Sequence, residues 1–145
     1  MRSRGAKGVG RFSVEFEVGN YADIELARRG MLKPKQVRRQ MIRGVVDSGA
    51  ARFVLPGAVV EELGLPVSGK VRVRYADGRR ATRRSAQGAY VKLLGRDGTF
   101  NAVVEPKRET ALIGAIVLED LDLLVDCQQQ RLVPRDPHGA VYEIE

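Results

Sequence analysis

From Phe12 to Val18, Phe and Val alternate with Ser and Glu at a period of two, which is what a strand with one dry and one wet face requires. This is the first predicted strand. Residues 20–35, with Gly30 and Pro34, show no clear period; a short helix around Asp23 to Arg28 is predicted inside an unusually long connection. Gln36 to Val46 reads as a second strand, polar and basic at first, ending in Val45 and Val46 and carrying Asp47 toward the interior. Phe53-Val54-Leu55 follows, and Pro56 opens a helix through Val59, Val60 and Leu63 that stops at Gly64. Val71 to Tyr75 alternates with Arg72 and Arg74 before Ala76-Asp77-Gly78, so a hairpin is predicted with its tip at 76–79. A second hairpin is predicted from Ala89 to Leu94 and Phe100 to Val104, with its turn at Arg96-Asp97-Gly98. Ala111 to Ile113 reads as a buried strand ending at Gly114, and Ala115 to Leu121 as a second short helix. Leu123 to Asp126 and Arg131 to Val133 flank residues 127–130 as a closing hairpin, and Pro134 and Pro137 end the ordered core.

Composition narrows the class. A chain of 145 residues with 43% hydrophobic and 30% charged side chains suits one folded domain and argues against disorder. Sixteen glycines with 6% aromatics favour many tight turns and few stacking platforms, hence an all-β fold. The net charge of +7 attracts polyanions, so nucleic acid enters as a candidate partner. The arginines are scattered, however, without interleaved aromatics or a nucleic-acid motif. Cys127 has no second cysteine to bridge to, and with His138 as the one histidine a zinc site lacks ligands. Cys127 is expected to be a small core residue and His138 a surface one. The longest apolar stretch, Ala111 to Leu118, falls short of the ~20 residues of a membrane span. The chain is expected to be cytoplasmic, with residues 1–10 as a flexible basic tail, a domain over 11–134, and a C-terminal extension over 135–145.

The sharpest chemical feature is Val45-Val46-Asp47-Ser48-Gly49-Ala50. Two β-branched residues lead a carboxylate into a turn of small residues, and a buried carboxylate costs several kcal/mol unless hydrogen bonds or a partner compensate. Such an Asp caps, coordinates or catalyses. Ser48 supplies a hydroxyl beside it, and Gly49 lets backbone N–H groups approach the carboxylate. The plain alternative is a surface β-turn, since Asp, Ser and Gly favour turns. Apolar flanks on both sides, Val45-Val46 and Phe53-Val54-Leu55, argue against it.

Here the chain resembles the retroviral-type, or retropepsin-like, aspartic proteases, whose catalytic loop reads apolar, apolar, Asp, Ser or Thr, Gly, Ala. Leu55-Pro56 with Glu61-Glu62-Leu63-Gly64-Leu65 is similar to the segment after that loop in bacterial members, and Ala76-Asp77-Gly78 sits where they place a flap hairpin. Leu112-Ile113-Gly114 is similar to their apolar-apolar-Gly signature, and Leu118 to Leu123 with Gln130 to Pro134 to their ending. The resemblance spans roughly residues 11 to 134. It implies a small closed or partly open β-barrel with one or two short helices. It also implies water activated between two carboxylates sharing one proton. Only one Asp-Ser/Thr-Gly triplet is present, so the second carboxylate would be Asp47 of another copy and the active species a homodimer. Ser48 would hydrogen-bond across the two-fold axis, Gly49 and Ala50 would complete the active-site loop, and Ile113 and Gly114 would brace it. Tyr75, Ala76, Asp77, Gly78 and Arg79 would form the flap over a peptide substrate, with no metal or organic cofactor. Arg79, Arg80, Arg83 and Arg84 differ from the glycine-rich, apolar flaps of viral enzymes. The competing reading is a noncatalytic module on the same fold that captures peptide, nucleic acid or another polyanion.

Overall fold

The computed structural model describes residues 11–145; the basic tail expected at 1–10 lies outside the described residues. Nine strands and three α-helices follow one another in the described chain. They are β1 (Arg11–Asn20), α1 (Tyr21–Arg28), β2 (Arg39–Asp47), β3 (Phe53–Pro56), α2 (Gly57–Leu63), β4 (Val67–Arg74), β5 (Arg80–Leu93), β6 (Arg96–Glu105), β7 (Ala111–Ile113), α3 (Ala115–Asp120), β8 (Leu123–Asp126) and β9 (Arg131–Pro134).

The main sheet runs β1-β2-β7-β3-β6-β5-β4, and β1 also pairs with β5. That extra pairing closes six strands into a barrel and leaves β4 as an outrigger hairpin on β5. Closure removes the exposed edges that a small open sheet would present. The interior is filled by the alternating inward residues expected for such strands, among them Phe16, Val18, Val46, Phe53, Leu55, Val91 and Ile113, each at most 1% exposed. Phe53 sits between Phe16 and Phe100 with ring centroids 6.3 and 6.0 Å away, both edge-to-face, the arrangement aromatic quadrupoles favour.

Of the three short α-helices, α1 covers the helix expected around Asp23 to Arg28 and starts two residues earlier: the Asn20 side chain accepts a hydrogen bond from the Asp23 N–H (3.0 Å) and caps its start. Strand β2 begins at Arg39 rather than Gln36, because Pro34–Gln36 forms a 3-10 turn. The loop behind it is pinned where Asp23, almost enclosed, accepts from the Arg38 N–H (3.0 Å), Nε (2.8 Å) and Nη2 (3.0 Å). Those bonds from Arg38 hold the Asp23 carboxyl below its ordinary value.

The second hairpin turns at Leu94-Gly95, with φ of 53° and 76°, not at Arg96-Asp97-Gly98. Two successive left-handed residues make the turn whose twist matches the strands it joins. Gly98 serves another purpose inside β6, since a Cβ there would lie 2.8 Å from the Asp120 carboxylate and 3.0 Å from the Phe100 ring. Cys127 is exposed in the β8–β9 turn rather than packed in the core, because the inward positions of that hairpin belong to Leu123 and Leu132. The chain beyond β9 folds back on Asp122, whose carboxylate accepts from Arg135 Nε (2.6 Å) and the Val141 N–H (3.0 Å). No helix among the described residues is long and apolar enough to cross a membrane.

Candidate active site

Asp47 is the last residue of β2, at the point where the strand leaves the barrel. Its backbone carbonyl accepts from the Ala50 N–H (3.1 Å), closing the tight turn through Ser48 and Gly49. The Gly49 N–H donates to Asp47 Oδ1 (3.0 Å). Small residues are needed here because the turn folds back onto its own carboxylate.

The loop is fastened from beneath. β7 runs parallel to β2, Val46 facing Ile113, and antiparallel to β3. Past Ile113, the N–H groups of Ala115 and Ile116 at the start of α3 donate to the carbonyls of Ala50 (2.7 Å) and Ala51 (3.0 Å). This approach leaves no room for a side chain at Gly114, where a Cβ would lie 2.4 Å from the Arg52 carbonyl oxygen and 2.6 Å from that of Ala50. Ile113 and Gly114 meet the neighbouring strand and the loop carbonyls through their backbone.

Across from this floor, the β4–β5 hairpin carries its tip over the loop. The Tyr75 N–H donates to the Arg79 carbonyl (2.8 Å) and the Gly78 N–H to the Tyr75 carbonyl (2.9 Å). Asp77 accepts from the Arg79 N–H and Nε, and the Arg79 guanidinium lies 4.9 Å from the Tyr75 ring centroid. One anchor reaches the barrel: the Tyr75 hydroxyl donates to Glu105 Oε2 (2.5 Å), and Arg83 Nε donates to the other Glu105 oxygen (2.8 Å). The acceptor Glu105 pushes the Tyr75 hydroxyl above its ordinary value.

Floor and hairpin enclose one cleft of about 700 Å³, lined by Val45, Asp47, Gly49, Ala50 and Leu112 below and by Arg74, Tyr75 and Ala76 above, with Arg11 and Arg108 on the walls. Among the described residues, Asp47 supplies the one carboxylate that lines the cleft.

A family profile described as aspartyl protease matches residues 35–125, well over half of the chain. The chain belongs to the aspartyl protease family. No curated protein sequence matches it. Among solved structures it is similar to the EIAV protease in complex with the inhibitor HBY-793, at 21% identity and a TM-score of 0.46 over 56% of this chain and 77% of that one. It is also similar to the retroviral protease-like domain of Ddi1 from Leishmania major, at 20% identity and a TM-score of 0.47 over 67% of this chain and 81% of that one.

Seen as an aspartyl protease, the chain brings together Asp47, Gly49, Ala50, Tyr75 and Ala76 around the cleft, with Ile113 and Gly114 behind it. Ser48 is exposed and does not line this cleft, while Asp77, Gly78 and Arg79 form the outer tip of the hairpin. Sequence reasoning missed Arg11. This first residue of β1 stands opposite Asp47 in the strand register, and its Nε (3.1 Å) and Nη2 (2.8 Å) both donate to Asp47 Oδ2. It also missed Glu105, which holds the hairpin, and Arg108, whose Nε donates to the Thr110 carbonyl (2.6 Å) at the cleft wall. The alternation of β1 was the one signal available for Arg11, and it fixes a face without naming the opposing residue. Among the described residues no group of acids, histidines and cysteines is gathered to hold a metal.

Proposed function

We propose that the chain is an aspartic endopeptidase that works as a homodimer, with Asp47 of each copy supplying half of the catalytic pair. The observation that carries this reading is the cleft itself: a floor built around Asp47, open to solvent, with one carboxylate where the reaction needs two. In the proposed cycle one ionised Asp47 takes a proton from a water molecule as its oxygen bonds to the scissile carbonyl carbon. The partner's protonated Asp47 gives its proton to the carbonyl oxygen. The first Asp47 then gives the proton it took to the amide nitrogen, the C–N bond breaks as a hydroxyl of the tetrahedral intermediate returns its proton to the partner's Asp47, and the pair again shares one proton. The hairpin tip at Tyr75 and Ala76 would cover an extended peptide and exclude water, and Ser48, exposed in the single chain, would be free to bond across the two-fold axis.

The decisive experiment is Asp47→Asn, assayed on a library of unstructured peptides together with sedimentation of the parent. Cleavage is expected to fall by a factor of at least about 10² to 10⁴, with thermal unfolding unchanged and the parent sedimenting as a dimer. Retained cleavage would refute the assignment. A second reading has its own support: in the single chain the Asp47 carboxylate is already engaged by Arg11, as suits a binding module that has lost turnover. Peptide capture by the parent, with no cleavage between pH 3 and 7, would establish that reading instead.

A further inference from the structure

The hairpin over the cleft carries more positive charge than closing a lid requires. Arg72 and Arg74 on β4, and Arg80 and Arg84 on β5, fall on one face by strand alternation, with Arg74 directly opposite Arg80 and Arg72 opposite Thr82. All four are exposed, and among the described residues none has an ion-pair partner. The two arginines outside this pattern, Arg79 and Arg83, are taken by Asp77 and Glu105. Like charges placed directly across a ladder repel, so this face gains stability when an anion covers it.

Two further observations say what kind of anion. β4 is the terminal strand of the sheet, so its outer backbone edge is unpaired and open to a further strand. Arg72, Val73, Arg74, Arg80, Ala81 and Thr82 line a shallow depression of about 420 Å³, and Arg74 also lines the Asp47 cleft. The basic face therefore runs directly into the reaction site.

We propose that this face is an exosite for an extended acidic peptide segment, with carboxylates at alternate residues, that pairs with the β4 edge and leads the substrate into the Asp47 cleft. The proposal rests on the protease reading for its destination and on the arginine face for its chemistry. Side chains two residues apart on a strand repeat every ~6.7 Å, so Arg72 and Arg74 match every second residue of a peptide added alongside. A peptide also satisfies the strand's free N–H and C=O groups, which a sugar-phosphate backbone does not. No aromatic platform for bases stands among Arg72, Arg74, Arg80, Thr82 and Arg84.

The test uses the full chain as Asp47→Asn, so that binding is read without cleavage, and fluorescence anisotropy with three labelled peptides of one length carrying Glu, Gln or Lys at alternate positions. The Glu peptide is expected to bind about tenfold or more tighter than the Gln peptide at low salt, and to lose that advantage as salt rises. Adding Arg72→Glu and Arg80→Glu together should invert the preference toward the Lys peptide. Lys33→Glu with Lys35→Glu, the same change in net charge placed elsewhere, should not. Equal affinity for the Glu and Gln peptides, or a preference that the double variant leaves in place, overturns the exosite. So does a single-stranded oligonucleotide that binds more tightly than the Glu peptide and is released by the same two substitutions. The two proposals fail separately. Glu-selective binding without cleavage by the parent sinks the protease reading alone, whereas equal kcat/KM on Glu- and Gln-flanked substrates, with equal binding, sinks the exosite alone.

Discussion

Asp23 and Asp47 both meet arginines, and the two contacts have been put to opposite uses. Asp23 is almost sealed; both its oxygens are taken by Arg38, which adds its own backbone N–H, and the carboxyl is held below its ordinary value. Asp47 keeps 16% of its side chain open, accepts from Arg11 on one oxygen and from the Gly49 N–H on the other, and faces a cleft. The pair at Asp23 fastens α1 and the following loop onto β2. The pair at Asp47 leaves its carboxylate within reach of a peptide. A carboxylate–guanidinium contact therefore says little until its enclosure is known.

The largest expected effect comes from removing the support that lets Asp47 stay open. Gly114→Ala forces a methyl group against the Arg52 and Ala50 carbonyls, and overpacking of that kind costs about 1–3 kcal/mol or more. Chemical denaturation should show the loss, and whatever protein folds should have a displaced floor and little peptidase activity. Next is Asp23→Asn, which should separate cement from chemistry: stability falls while kcat per folded molecule stays the same. Because the Asp23 carboxyl is held low in the folded chain, its contribution is complete above about pH 4, where the unfolded carboxyl is also ionised. It disappears as pH drops through the lowered folded value. Melting curves of variant and parent should differ most near neutrality and converge in strong acid. Arg11→Ala should do the reverse, leaving the melting curve nearly unchanged and raising kcat/KM a few-fold by freeing the carboxylate. A fall in rate would make Arg11 a positioning residue. Smallest is Tyr75→Phe, which cuts the hairpin's tie to Glu105 at a cost of about 1 kcal/mol, seen mainly as a higher KM with kcat little changed.

How far the sequence could be read follows from the range of each interaction. Alternation and turn residues act within a few positions, so the strands, the Ala76-Asp77-Gly78 tip and the helix stopping at Gly64 were legible. Asp47 was legible because an acid between β-branched residues and a small-residue turn is costly without a purpose. The partners were not: Arg11 lies 36 positions from Asp47, and Tyr75 lies 30 from Glu105. Nothing local encodes those distances. The second hairpin failed for a subtler reason, since Asp97-Gly98 has the composition of a turn but its glycine answers crowding by Asp120 and Phe100. A residue's local preference and its tertiary duty can coincide in one letter.

The β1–β2 pairing places Arg11 opposite Asp47 and continues without interruption to Gly19 opposite Arg39. That ladder acts as a ruler. Deleting one residue within β1 would slide Phe12, Val14 and Phe16 onto the wet side and carry the guanidinium off the carboxylate in the same motion, so frame-preserving deletions in this strand should be far less tolerated than any single replacement along it.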